Sequence, residues 1–213
     1  MNWTRYGEEG IRIVFGNAIN ADVHEEVRQY YFFLKSLDLQ EIIDIIPSFT
    51  SCIIYFNSRL TSFSTLVSLL KDKEKGLPQT QIPAPVTHTI PVMYGGQYGP
   101  DIEFVCSYSG LTADEVIEIH VSTVYTVFAV GFLPGFPYLG TLDKRLFVPR
   151  LETPRLKVNE GSVGIAQLQT GIYSFESPGG WRIIGKTDVK LFDYTEAPYS
   201  LLNIGDRVRF VPL

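Results

Sequence analysis

The sequence predicts two domains, a small α+β domain over residues 1–85 and a β-barrel domain over residues 86–213. Before residue 75, two segments with helical spacing of apolar residues alternate with short strands. Residues 77–85 are rich in proline and show no periodicity, which is typical of a linker. After residue 123, short β-branched and aromatic runs alternate with Gly and Pro turns, which is the pattern of a small barrel.

The first domain is predicted to have the element order β-α-β-β-α. Residues 11–15 form an apolar strand that ends at a glycine, and Asn20 then caps a helix. Residues 42–46 and 52–56 predict two strands joined by a turn, and residues 63–70 carry a second helical stripe. This order is that of a split β-α-β unit, the ferredoxin-like arrangement.

Two helices are predicted early in the second domain. Pro100 is expected at the first helical position of one helix, and Gly110 is placed to end it. Thr112 and Glu115 have the spacing of a capping box, which starts the next helix and carries it through His120.

The rest of the second domain is predicted to be β-structure. Between its strands lie stretches dense in Gly and Pro, at residues 131–140, 169–173 and 177–181, which are predicted to be loops or tight turns. The predicted strands cover residues 86–93, 124–130, 162–167, 181–184, 189–192 and 208–211.

Composition excludes several classes of protein. The 213 residues are 45% apolar and 19% charged, which excludes an intrinsically disordered chain. The net charge is −5 and no run of Lys and Arg occurs, so a nucleic-acid partner is not expected. The first ten residues lack an apolar signal core, and the longest apolar stretch, residues 124–133, is too short to span a bilayer. We therefore expect a cytoplasmic protein with no membrane partner.

Cysteine and histidine positions argue against a disulfide and a metal site. Cys52 and Cys106 each lie in an apolar segment, which predicts buried free thiols. His24, His88 and His120 are far apart, and none has a second ligand at metal spacing.

Residues 180–187 match the phosphate-binding pattern G-x-x-x-x-G-K-[ST]. That pattern requires a flexible loop followed by a helix. The interior of the match, Trp-Arg-Ile-Ile, and the residues after it are strand material. The match is therefore predicted to be incidental.

Several residues in the second domain have two interpretations. Residues 131–140 predict either a loop that covers a barrel end or the wall of a binding site. Arg150 and Arg155, each preceded by a proline, either clamp an anion or pair with nearby carboxylates. Gln169 and Thr170 either recognise an amide or hold a loop in place.

An ordered series of Gly/Pro motifs lies at residues 91–96, 99–101, 131–140, 149–150, 154–155, 161–166, 169–173, 177–181 and 205–210. The chain resembles the B-type subunit of 5-oxoprolinase, a family also described as KipI-like or allophanate hydrolase subunit 1-like. The resemblance extends over the whole chain and is most specific from residue 91 onward. This chain departs from the usual family motifs at Asn159 and Glu160, at Ser174 and at Lys186.

The resemblance implies a fold, a reaction and partners. It implies that the second domain is a cyclophilin-like barrel, and that the chain works with a C-type subunit (KipA-like) and an A-type subunit (LamB/YcsF-like). The implied reaction is ATP-dependent opening of the 5-oxoproline lactam to L-glutamate, with ATP and Mg²⁺ acting in the complex and not bound tightly by this chain alone. The implied alternative is a non-enzymatic inhibitor of a sensor histidine kinase.

A site in the barrel is expected to combine one acid–base group with apolar walls and polar recognition groups. We expect His120 to be the acid or base, Arg150 and Arg155 to clamp an anion, and Gln169 and Thr170 to recognise an amide. The remaining expected substrate-binding residues are Phe132, Pro134, Gly135, Phe136, Gly180 and Trp181.

Overall fold

The computed structural model describes residues 1–74 and 81–213 of the chain. The chain divides into two compact units, Met1–Ala84 and Pro85–Leu213. The first four residues of the predicted linker, residues 77–80, lie outside the described residues. The predicted class is confirmed at the level of an α+β protein with a closed β-barrel.

The first unit is a four-stranded antiparallel sheet with two helices. Its strand order is β1-β2-β4-β3, so β2 and β3, which are joined by α1, lie on either side of β4. The elements are β1 (Asn2–Arg5), β2 (Gly10–Val14), α1 (Ala21–Ser36), β3 (Ile42–Pro47), β4 (Ser51–Phe56) and α2 (Phe63–Lys73).

One strand of this sheet was not predicted. β1 pairs with β2, Trp3 lies opposite Ile13, and the Trp3 ring contacts Tyr30 with centroids 6.1 Å apart. The predicted order β-α-β-β-α is therefore wrong by one strand, and the observed order is β-β-α-β-β-α. The polar segment of β1 carries little strand propensity, and its pairing with β2 decides its conformation.

The predicted start of α1 is confirmed. The Asn20 side chain accepts a hydrogen bond from the Val23 amide at 2.9 Å. Such a cap contributes about 1 kcal/mol. Val27, Tyr30 and Leu34 then bury one face of the helix against the sheet.

The second unit is a barrel with two helices. The closed barrel has the strand order β10-β7-β6-β13-β5-β12-β9, and β8 and β11 form a separate two-stranded ribbon. The elements are β5 (Thr87–Tyr94), α3 (Ile102–Ser109), α4 (Ala113–Ser122), β6 (Val124–Val130), β7 (Pro137–Gly140), β8 (Arg155–Val158), β9 (Ser162–Ala166), β10 (Gln169–Ile172), β11 (Ser177–Gly179), β12 (Arg182–Lys186) and β13 (Arg207–Pro212), with a short 3₁₀ turn at Lys144–Leu146.

The main core fills the inside of the barrel. On β9, Val163 and Ile165 belong to this core, so Ser162, Gly164 and Ala166 face outward. Ala166 belongs to a second apolar cluster, which includes Phe136 and Trp181. The alternation along the strands thus places a separate apolar surface on the outer side of the barrel.

The predicted helix ends in this unit are partly confirmed. Thr112 and Glu115 form the predicted capping box, with their reciprocal hydrogen bonds at 2.7 and 3.3 Å. Gly110 ends α3 in the left-handed conformation, with φ of 72°. The prediction that Pro100 is the first helical residue is wrong, because α3 begins at Ile102 and Asp101 makes no side-chain cap.

Several strand predictions need correction. Residues 189–192 were predicted as a strand, but Phe192 makes only an isolated bridge with Ser200. The stretches predicted as loops or turns contain β7, β10 and β11. Their Gly and Pro content lowers strand propensity, which tertiary pairing overrides here. Within the described residues, no helix has the length and apolar character needed to cross a bilayer.

Candidate functional site

The outer face of the barrel carries a pocket of about 320 Å³, which we call the aromatic pocket. This volume lies at the lower end of the range of about 300–1,000 Å³ that is typical of small-molecule sites. Its walls come from the loop before β7, the loop before β8, and the segment from β10 to β12. The lining residues are Phe132, Phe136, Tyr138, Arg150, Leu151, Pro154, Tyr173, Pro178, Gly179, Gly180 and Trp181.

Two glycines form the base against which the aromatic rings pack. Gly164 on β9 lies directly opposite Gly171 on β10. A Cβ added to Gly171 would lie 3.0 Å from both Phe136 and Trp181, and a Cβ added to Gly164 would lie 3.1 Å from Trp181. The Phe136 and Trp181 side chains therefore occupy space that a side chain at these positions needs.

Phe136 is the centre of the aromatic cluster. Its ring meets those of Tyr138, Tyr173 and Trp181 at centroid distances of 5.0, 5.3 and 5.5 Å, all in edge-to-face geometry. Such pairs are worth about 0.5–1.5 kcal/mol each beyond their buried area. Phe136 is 1% exposed, so its ring is fixed and supports the pocket wall from below.

Phe132 differs from the other rings because it is exposed. Its side chain is 62% exposed and contacts Phe136 with centroids 5.6 Å apart. The loop that carries it turns at Gly135, which has φ of +75° and leaves no room for a Cβ beside Phe192. Phe132 therefore covers one side of the pocket opening.

Arg150 supplies the only positive charge among the lining residues of the described chain. Its guanidinium lies 5.9 Å from the centroid of the Trp181 ring, within reach of a cation–π contact. Burial raises the pKa of the Tyr138 and Tyr173 phenols. The Arg150 charge partly offsets this effect at Tyr138, and a hydrogen bond with the Trp181 backbone followed by the Arg150 charge partly offsets it at Tyr173. Both phenols are neutral hydrogen-bonding groups beside one fixed cation.

The lining residues suit binding rather than covalent catalysis. Within the described chain they include no Ser, Cys, His, Asp or Glu side chain. They offer flat apolar walls, one guanidinium and two phenols. This combination matches a small ring that carries an anionic group.

The structure brings five of the expected site residues together at this pocket: Phe132, Phe136, Arg150, Gly180 and Trp181. Pro134 and Gly135 belong to the loop between Phe132 and Phe136, but they do not line the pocket.

His120 and Thr170 lie elsewhere, inside the barrel, and each is 0% exposed. His120 Nδ1 is 2.7 Å from the Tyr94 hydroxyl, and His120 Nε2 is 2.9 Å from Thr170 Oγ1. Thr170 Oγ1 donates to the Gly164 carbonyl, so it accepts from Nε2–H, and the Tyr94 hydroxyl donates to Nδ1. A neutral ring satisfies every partner, so the geometry gives His120 a structural role and leaves the expected acid–base role without support.

Alternation along β10 explains the position of Thr170. Its side chain points into the barrel, while its neighbour Gly171 faces the aromatic rings. Thr170 therefore does not line this pocket, and its expected role in amide recognition stays a prediction.

Lowering the pH is expected to destabilise the fold through His120. Burial lowers its pKa from 6.5 to about 3, so the unfolded chain takes up a proton below about pH 6.5 while the native ring stays neutral. Stability is then lost at about 1.4 kcal/mol per pH unit as the pH falls. When urea unfolding is measured at about pH 7 and at about pH 5, the free energy of unfolding of the native sequence should fall by about 2 kcal/mol more than that of the His120→Gln variant. Equal losses would contradict a buried neutral histidine.

Arg155 is also not available as the expected anion clamp. Its guanidinium makes two hydrogen bonds with the Asp101 carboxylate, at 2.7 and 2.9 Å. Asp101 additionally accepts from the Ile183 amide. The pairing of Arg155 with a carboxylate was one of the two interpretations left open, although Asp101 was not among the expected partners.

Gln169 is half-buried and does not line the pocket. Its Nε2 is buried and has no hydrogen-bond partner among the described residues. Its expected role in amide recognition stays a prediction.

Sequence reasoning missed Tyr138, Tyr173 and the Pro178–Gly179 wall. Tyr173 directly follows β10, which was predicted as a tight turn, and a Cβ on Gly179 would collide with the Tyr173 hydroxyl. In the sequence, the small Gly171 between larger neighbours was the feature that could have indicated this packing.

The structure bears on the phosphate-loop match and on the possibility of a metal site. Residues 182–186 of the match form β12, so it lacks the loop-to-helix geometry of a phosphate loop, as predicted. Among the described residues, no group of three or more His, Cys, Asp and Glu side chains is placed to hold a metal ion. Cys52 and Cys106 are free thiols, Cys52 buried and Cys106 half-buried.

Comparisons with known proteins identify related chains. Residues 1–202 match the family described as carboxyltransferase domain, subdomain C and D. The chain is 39% identical to the B-type subunit of 5-oxoprolinase from Bacillus subtilis (strain 168), over 96% of this chain and 90% of that protein. It is 29% identical to the urea amidolyase of Saccharomyces cerevisiae over 53% of this chain, which spans only 6% of that protein. Among solved structures, TTHA0988 superposes with a TM-score of 0.84 at 31% identity; the match covers 96% of this chain but only 39% of TTHA0988.

Proposed function

Because this chain belongs to the family of B-type 5-oxoprolinase subunits and carries the carboxyltransferase subdomains C and D, we propose that it is a subunit of an ATP-dependent 5-oxoprolinase. The complex opens the lactam of 5-oxoproline to give L-glutamate. In this proposal the aromatic pocket of this chain binds the lactam.

The assignment of the lactam to the aromatic pocket rests on the pocket's combination of apolar walls and a single guanidinium. 5-Oxoproline is a small five-membered ring with one carboxylate, and the pocket pairs the flat faces of Trp181 and Phe132 with Arg150. The ring packs against the aromatic walls, and the carboxylate accepts charge-assisted hydrogen bonds from the guanidinium. The phenols of Tyr138 and Tyr173 are the polar groups beside the lactam amide.

The pocket chemistry also supports a division of labour between subunits. A lactam carbonyl is a poor electrophile, and phosphorylation of its oxygen activates it for attack by water. The described lining of the pocket holds no Ser, Cys, His, Asp or Glu side chain for that step. We assign substrate binding to this chain, and we assign ATP, Mg²⁺ and activation of the lactam to the complex with its A-type and C-type subunits. The chain by itself is then inactive.

The match to a urea amidolyase raises a second substrate class, a urea-like amide. Urea carries no carboxylate, so it leaves the Arg150 guanidinium without a partner. The pocket therefore favours 5-oxoproline over urea, because only 5-oxoproline gains a charge-assisted hydrogen bond from the guanidinium.

Reconstitution tests the proposal. Glutamate is expected when this chain is mixed with A-type and C-type subunits, ATP, Mg²⁺ and 5-oxoproline, and none above background when this chain is left out. 2-Pyrrolidinone, a lactam without a carboxylate, should be opened at least about tenfold less efficiently. Glutamate formation that is undiminished without this chain overturns the proposal. A preference of the complex for urea overturns the assignment of 5-oxoproline as the substrate.

A further inference from the structure

A second cavity, which we call the cationic cavity, lies on the barrel unit near the aromatic pocket and has a volume of about 160 Å³. Its lining includes the side chains of Arg155, Lys157 and Lys186, together with the uncharged donors Gln97, Asn159 and Ser162. No Asp or Glu occurs among its lining residues in the described chain. Neighbouring residues of the chain connect the two sites, since Pro154 lines the aromatic pocket and Arg155 lines the cationic cavity.

Two of the three cations are already neutralised. Arg155 forms its two hydrogen bonds with Asp101, and the Lys157 ammonium lies 2.6 Å from the Glu176 carboxylate. Lys186 makes no hydrogen bond or ion pair with any other described residue through its side chain. The cavity thus has one uncompensated positive charge.

Pairing of the strands brings Lys186 and Ser162 together. Lys186 on β12 lies directly opposite Ser162 on β9, so both side chains are on the same face. A Cβ added to Gly161 would lie 3.5 Å from Lys186 Cε, so the lysine side chain runs close to the backbone of the turn before β9.

That turn is held by backbone hydrogen bonds. The Ser162 amide donates to the Asn159 carbonyl at 3.2 Å, and the Thr187 amide donates to the Gly161 carbonyl at 2.9 Å. Gly161 has φ of +80°, a conformation that favours glycine. Ser162 is only 6% exposed, yet its hydroxyl has no hydrogen-bond partner among the described residues.

We propose that the cationic cavity binds a phosphate group. The Lys186 ammonium provides the charge, while the Ser162 hydroxyl and the Asn159 amide donate hydrogen bonds to the phosphate oxygens. A point charge with several separate donors suits a tetrahedral oxyanion with three or more acceptor oxygens. A carboxylate is typically recognised by a free guanidinium fork, and the fork in this cavity is occupied by Asp101.

Phosphate binding to the isolated full chain tests this inference without any activity measurement. Titration calorimetry with inorganic phosphate, at ionic strength held constant with chloride, should show saturable binding. Lys186→Gln should weaken it at least about tenfold and Ser162→Ala about threefold or more, as expected for the loss of one charged and one neutral hydrogen bond. Lys144→Gln removes the same charge from an exposed lysine outside the cavity, and its affinity should stay within about twofold of the native value.

Further arms of the titration distinguish the source of the phosphate and control for folding. ATP and adenosine are titrated in parallel. Tighter binding of ATP than of inorganic phosphate, again dependent on Lys186, identifies a nucleotide phosphate, whereas equal binding identifies a free phosphate.

Circular dichroism and melting of Lys186→Gln without phosphate should match the native chain. The absence of saturable phosphate binding, or equal weakening by Lys186→Gln and Lys144→Gln, overturns the inference. Neither result bears on whether the complex opens lactams.

Discussion

Replacing Arg150 with Gln is expected to lower kcat/KM for 5-oxoproline in the reconstituted complex by about 10- to 150-fold. The change removes one charge-assisted interaction with the substrate carboxylate, which is worth about 1.5–3 kcal/mol. Arg150 is exposed and its guanidinium lies 5.9 Å from the centroid of the Trp181 ring, so the variant should retain the fold, as is usual for surface substitutions. Because the carboxylate is not the reacting group, we expect most of the loss in KM rather than in kcat.

Two further variants sharpen the Arg150 experiment. Arg209→Gln removes the same charge from an exposed position on β13 that does not line the pocket, and it should change kcat/KM by less than about twofold. Arg150→Lys should recover only part of the loss, because an ammonium lacks the planar fork that matches a carboxylate. If Arg150→Gln and Arg209→Gln behave alike, the aromatic pocket does not hold the carboxylate.

Gly171→Ala is expected to lower the free energy of unfolding by about 1–3 kcal/mol, the usual cost of overpacking. The new Cβ would lie 2.8 Å from the Pro137 carbonyl oxygen and 3.0 Å from the Phe136 and Trp181 rings. The rings must move outward to accommodate it, so the aromatic pocket should also lose affinity for its ligand.

The chain offers both a probe and a control for this prediction. It has two tryptophans, Trp3 and Trp181, so a Trp3→Phe background leaves Trp181 as the only tryptophan reporting on the pocket during urea unfolding. Gly131→Ala is the matched control, because no atom lies within 4 Å of the added Cβ, and its effect should stay within about 0.5 kcal/mol. Equal stability of the two variants would show that the rings do not depend on a bare backbone at Gly171.

Helix starts and ends could be predicted because they depend on neighbours in the sequence. The Asn20 cap, the Thr112–Glu115 box and the Gly110 stop each involve residues no more than four apart, and the structure contains all three. The β1 strand could not be predicted in the same way, since its pairing with β2 decides its conformation. β10 was not predicted because glycine is typical of turns. In the fold, the absence of a side chain at Gly171 leaves room for the Phe136 and Trp181 rings.

The candidate site was predictable only in part, because contacts between distant parts of the chain decide where several of the expected residues lie. Density of Gly, Pro and aromatic residues pointed to Phe132, Phe136 and Trp181, which do line one pocket. The structure does not place Arg155 and Thr170 in this pocket, because each side chain bonds to a residue that is distant in the chain. Asp101 lies 54 residues from Arg155, and His120 lies 50 residues from Thr170.

The sequence by itself determined the features that arise from local chemistry, namely the helices with their caps and the apolar strands of the core, and it determined the family. Only the tertiary structure decided which side of the barrel each residue faces, because a strand alternates its side chains and pairing alone selects the inward set. That choice sent Thr170 into the core, where it meets His120 of α4. It left Gly164 and Gly171 outside, beneath the rings of the aromatic pocket, and placed Lys186 beside Ser162.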